Sequence, residues 1–194
     1  TSVSALQLPD ENGTLVGDLY VIGGGDPLLM TDAYAAVQPD TDSPIRTRAD
    51  ELADAAVASN LSTIQGAVRV DESRYDQERS VSTWPPRFHE QSQAGSLSAA
   101  LRDDGFIGLA DNYVSQQLTL DPPPLPRSGE PATQFAASVD DLLEARNVVI
   151  TARAAESNET PFEQLVELTS IEGDGRVRIK RFVESNPRAE GSGI

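Results

Sequence analysis

Six consecutive residues, Asp71-Glu72-Ser73-Arg74-Tyr75-Asp76, place three carboxylates, a hydroxyl, a guanidinium and a phenol at the end of an apolar stretch. Crowded carboxylates hold divalent cations or move protons. A calcium loop, however, needs a regular ladder of oxygen ligands closed by a glutamate. That ladder is missing, so the stretch reads as a solvated turn, with Tyr75 tucked against the core and Arg74 paired locally, rather than as a metal centre. The single histidine, His89, lies in Arg87-Phe88-His89-Glu90, and a His-based triad would have to use it. No Gly-x-Ser-x-Gly elbow accompanies it. Trp84, before Pro85-Pro86, is either a stacking platform or a lid on the core edge with its indole N–H on a loop carbonyl. Gly23-Gly24-Gly25-Asp26 lacks the spaced glycines of a dinucleotide loop and the Lys-Ser/Thr ending of a phosphate loop. Pro27 also removes an amide that an anion nest would use. It reads as a tight turn with positive φ angles, and no cofactor is expected.

Composition narrows the classes further. There are 31 acidic residues against 15 basic ones, a net charge of −16, so the surface repels phosphate backbones and nucleic acid is not an expected partner. Cysteine is absent, which removes disulfides, thiolate metal sites and thiol nucleophiles together. No apolar run reaches the roughly 18 to 20 residues that cross a bilayer. Aromatics are scarce, so the core must be built from Val, Leu, Ile and Ala.

These side chains have to be positioned by an α/β framework. Segments 2–8 and 15–22 alternate and flank the turn signal Pro9-Asp10-Glu11-Asn12-Gly13, which predicts an N-terminal hairpin. A short helix is expected over 28–37. Thr47-Arg48-Ala49-Asp50 resembles a capping box and opens a helix over 48–59, followed by a strand at 64–70. Strand, helix, strand in that order predicts a crossover and a mixed or partly parallel sheet. Pro131 starts a second helix to residue 146, with Phe135, Val139, Leu142 and Leu143 at helical spacing. A strand at 148–152 and a hairpin of 162–171 with 177–183, closed at 172–175, complete the elements; 187–194 reads as a frayed tail. The central sheet is expected from 15–22, 64–70, 148–152 and 163–171, flanked by the two helices. Between about 71 and 130 the chain is a long irregular excursion, with a rigid connector at Pro122-Pro123-Pro124 and Pro126.

Four segments carry a resemblance. They are Gly17-Asp18-Leu19-Tyr20-Val21-Ile22-Gly23-Gly24-Gly25-Asp26-Pro27-Leu28-Leu29; the helix at 51–59 with the stretch from Ile64 through Arg74-Tyr75-Asp76; Ser96-Leu97-Ser98-Ala99-Ala100-Leu101; and the helix from Phe135 into Asn147-Val148-Val149-Ile150. In that order they resemble the low-molecular-mass class C penicillin-binding proteins, the serine D-alanyl-D-alanine carboxypeptidases/endopeptidases of peptidoglycan. The likeness covers about residues 1–172 and falls on the accessory domain inserted into the family's transpeptidase-like catalytic domain; 173–194 is left as a C-terminal strand and tail. The resemblance implies an exported protein of the cell envelope. It also implies two partners, the catalytic domain of the same polypeptide and the peptide stem of peptidoglycan. Asp76 matches an acid that would receive a cationic stem side chain, with Tyr75 and Trp84 as pocket wall.

The family's chemistry needs Ser-x-x-Lys, Ser-x-Asn and Lys-Thr-Gly elements. None is present: the one lysine, Lys180, has Val177 three places before it and Arg181 after it. No catalytic residue is therefore expected in this chain. Two alternatives stay open at this point, a stand-alone envelope binding module derived from such a domain and an unrelated acidic enzyme using the carboxylates at 71–76.

Overall fold

The computed structural model describes residues 1–36, 46–106, 127, 129–171 and 177–179. The proline-rich connector at 122–126, the turn at 172–175, the continuation of the last strand to 183 and the tail at 187–194 lie outside them.

The N-terminal hairpin forms: β1 (Ser2–Ala5) pairs antiparallel with β3 (Leu19–Ile22), Ser2 opposite Ile22 and Ala5 opposite Leu19. At its turn Asp10 Oδ1 accepts from the amides of Asn12 at 2.9 Å and Thr14 at 2.8 Å. The stretch expected as one strand over 15–22 is two. β2 (Thr14–Leu15) pairs in parallel with β6 (Thr63–Ile64), whereas β3 pairs in parallel with β7 (Val68–Asp71). Both chains of the ladder jog together. Gly17 turns with φ +106°, and a Cβ on Gly66 would lie 2.3 Å from Gly17 O, so these backbones approach where no side chain fits. Asp18 seals the jog, accepting from Ala67 N–H at 2.8 Å and pairing with Arg69 at 3.1 Å.

The jog divides the strands between sheets. The main one is six-stranded, in the order β11-β10-β1-β3-β7-β9, with β9 at Ala155–Glu156, β10 at Val166–Ile171 and β11 at Val177–Ile179. It is mixed: β1, β10 and β11 run antiparallel to their neighbours, while β3, β7 and β9 are parallel. The strand expected at 148–152 reduces to β8 (Val149–Ile150) and joins β6 in the small sheet; β9 takes the place expected for it. The short helix expected over 28–37 divides into β4 (Leu29–Met30) and α1 (Asp32–Ala36), with residue 37 outside the described residues.

The capping box does not form. Thr47 belongs to β5 (Thr47–Arg48), paired in parallel with β4, and its amide donates to Leu28 O at 3.0 Å. Extended pairing through Thr47 delays α2 to Ala49–Ala58, whose N-cap is Arg48 with no side-chain cap bond. Asp50 instead accepts from Asp32 N–H at 3.2 Å and faces Arg146. The second long helix, Pro131–Glu144, begins at its proline as expected; Arg87–Glu90 is a short helix before it, so these are α4 and α3. Helix α2 lies over β1 and β10, α4 lies over β7 and β9, and the two touch. Leu52, Ala56, Phe135, Val139 and Leu143 meet Val3, Leu19, Val21, Val68, Val70 and Leu168 in one apolar cluster. Each large side chain fully removed from water there contributes about 1.5–3 kcal/mol before entropy is counted.

Candidate functional site

Parallel β3 and β7 end side by side, Ile22 opposite Asp71. Loops leaving the carboxyl ends of neighbouring parallel strands diverge and leave a crevice. Here the crevice is a cavity of about 550 Å³ lined by Gly25 and Pro27 after β3, Tyr75, Asp76 and Glu78 after β7, and a third wall of Leu97, Ser98 and Leu101. Of the three glycines only Gly25 has a positive φ, +69°. Its missing Cβ gives room to the Tyr75 ring, whose hydroxyl would stand 2.3 Å from that atom. Gly23 has no positive φ; it is needed because Ala99 O would lie 2.5 Å from a Cβ there.

The acidic stretch divides by burial. Asp71 is 4% exposed and Glu72 6%. Asp71 Oδ1 accepts from Ser73 N–H at 2.9 Å and Ser73 Oγ at 2.7 Å, and its other oxygen accepts from Thr160. Glu72 pairs with Arg79 and accepts from the Ser98 hydroxyl, while Ser98 Oγ accepts from Ala100 N–H at 2.9 Å. Buried carboxylates satisfied in this way brace the loop. Asp76 is exposed and lines the cavity, and its Oδ1 accepts from its own loop, Glu78 N–H, at 3.0 Å. Tyr75 is 52% exposed rather than tucked against the core as expected, because its ring lies against Gly25 at the open cavity, and the buried Asp71 and Glu72 likewise depart from a solvated turn.

Tyr75 and Asp76 are thus brought together on one cavity, and Trp84 is not among its lining residues. Trp84 is half-buried, its ring 6.0 Å from both Phe88 and His89. His89 Nε2 lies 2.9 Å from Ser80 Oγ, but its Nδ1 is buried with no partner among the described residues. A serine–histidine pair with no acid on the second nitrogen lacks the group that orients and charges the base. The Leu97–Leu101 wall carries no chemical signature of its own in the sequence and is brought in by the Glu72–Ser98 and Gly23–Ala99 contacts.

A D-alanyl-D-alanine carboxypeptidase of Actinomadura sp. (strain R39) is 25% identical over 174 residues, 88% of this chain. The chain spans only 28% of that relative's length. Residues 4–177 match the D-Ala-D-Ala carboxypeptidase 3 (S13) family, and the chain belongs to that family.

Proposed function

We propose that this chain is a non-catalytic accessory domain of an exported D-alanyl-D-alanine carboxypeptidase, bordering the catalytic cleft and helping to receive the peptide stem. One observation carries the reading: family membership over residues 4–177 in a sequence without Ser-x-x-Lys, Ser-x-Asn or Lys-Thr-Gly. Acyl transfer by this family's route requires an activated serine, and no serine here has a lysine in that relation. Support also comes from the 28% share of a carboxypeptidase relative that the chain spans. Ser4 lies on β1 and Val177 on β11, with only β10 between them in the sheet, a nearness of the matched region's ends that suits an inserted domain.

In this reading Asp76 receives the cationic end of the stem's diamino acid by a charge-assisted contact, and Tyr75 supplies the wall. Trp84, which packs near Phe88 and His89, is given no part in that wall. The isolated chain is expected neither to release D-alanine from a pentapeptide nor to become covalently labelled by a fluorescent penicillin. Stoichiometric labelling that survives denaturation would overturn the assignment.

A further inference from the structure

Residues 95–105 form a loop that returns to its own start, with Ala100 seated in the main apolar cluster. At the neck Ser96 N–H donates to Gly105 O at 3.2 Å. A Cβ on Gly95 would lie 1.9 Å from Asp104 O, so the two arms touch backbone to backbone. Between them the loop carries Leu97, Ser98 and Leu101, the third wall of the cavity. It closes through three successive left-handed residues, Asp103 (φ +51°), Asp104 (φ +54°) and Gly105 (φ +75°). Only the last is a glycine. Left-handed backbone is unfavourable for other residues and persists where the surroundings over-determine it.

Much of the grip on this turn comes from one short segment, Thr31 to Tyr34. Thr31 donates from its amide to Asp103 Oδ1 at 2.8 Å, with its hydroxyl 3.2 Å from the same oxygen. Tyr34, one helical turn on, donates its hydroxyl to Asp104. Thr31 Oγ1 also accepts from Tyr34 N–H at 3.1 Å, which ties the two arms of the grip together. Asp103 is 4% exposed and pairs with Arg102. Beneath the turn Met30, Tyr34, Ala35 and Phe106 form a small apolar cluster separate from the main core. None of Thr31, Tyr34, Asp103 and Asp104 lines the cavity, so any effect they have on it passes through the loop.

We infer that Thr31 and Tyr34 are positioning residues: they clamp a left-handed turn at Asp103-Asp104 and so fix the closing arm of the loop, whose Leu97–Leu101 wall is seated at its other end by the Glu72–Ser98 and Gly23–Ala99 contacts. That the wall belongs to a peptide-receiving cavity rests on the function proposed above; the clamp itself is tested without any ligand. The measurement is native-state amide hydrogen exchange on the whole chain. Tyr34→Phe keeps the ring in its cluster and removes only the hydroxyl. It is expected to speed exchange at the Ser96 and Phe106 amides about tenfold while leaving α4 unchanged. Asp104→Gly added to that variant relaxes the left-handed strain and is expected to return both rates to within about threefold of the original. Unchanged rates in Tyr34→Phe overturn the clamp, and so does acceleration spread through α4. A double variant that exchanges faster than Tyr34→Phe alone overturns the strain. A failed clamp leaves the peptide reading standing, and a penicillin-labelled chain leaves the clamp standing.

Discussion

The hydroxyl of Ser98 donates to the buried carboxylate of Glu72, 26 residues earlier in the chain, and joins the end of β7 to the far wall of the cavity. Glu72 is held from the other side by Arg79, whose Nη1 also reaches Leu97 O at 3.3 Å. One carboxylate therefore organises both the loop that carries Asp76 and the wall opposite it.

Ser98→Ala leaves a Glu72 oxygen buried without its donor and removes the acceptor for Ala100 N–H. The expected loss of stability is about 1–3 kcal/mol, read by chemical denaturation. A loss within experimental error would mean that solvent reaches Glu72 and that the link is not structural.

Gly66→Ala places a methyl group against the Gly17 carbonyl, 2.3 Å from the ideal Cβ position. Both sides of that contact are backbone, so relief requires moving β2 and β6 apart at the jog. Destabilisation of at least ~1 kcal/mol is expected in thermal unfolding. Ala tolerated without cost would show that the two strands are not pinned there.

Burial, with the charges of Glu144 and Asp141, raises the Asp140 carboxyl above the ordinary aspartate range. Its Oδ1 is buried with no partner among the described residues. A carboxyl raised in the folded state binds its proton more tightly there than in the unfolded chain. Its contribution to stability is therefore present below the ordinary value of about 4 and is lost as pH rises through the raised value. Asp140→Asn is expected to be more stable than the parent at pH 7, by about 0.5 kcal/mol from relief of the like-charge pair with Glu144 one turn away. The advantage should vanish near pH 3. Melting curves across that interval check it, and a variant less stable at pH 7 contradicts it.

Asp76→Asn retains the oxygen that accepts from Glu78 N–H and removes only the charge. On the proposed function, the change in the complete carboxypeptidase removes a charge-assisted contact and is expected to cost about 1.5–3 kcal/mol, roughly 10- to 150-fold in kcat/KM on substrates with a cationic stem side chain. Acylation by a simple penicillin should change little. Equal losses on both substrates would point to loop damage instead of stem recognition.

The two long helices were legible from sequence because their signals are local: Pro131 at the start of α4, Phe135, Val139 and Leu143 at helical spacing, and Leu52 with Ala55 and Ala56 on one face of α2. The N-terminal hairpin was legible because its turn chemistry sits between two alternating stretches. The missing catalytic elements needed no structure, since a motif is absent as soon as the residues are read. Sheet membership was not legible. β2, β6, β8 and β9 are two residues each, too short for any periodicity, and their partners are chosen by a backbone jog at Gly17 and Gly66 that neither segment encodes alone. Thr47 shows the same limit, since a capping signal yielded to a strand pairing 18 residues upstream. Within the acidic stretch the three carboxylates are of one chemical kind, yet Asp71 and Glu72 are buried braces and Asp76 lines the cavity. Tertiary structure decided that difference, because a carboxylate's role depends on which donors surround it, and Thr160 and Ser98 arrive only when the chain has folded.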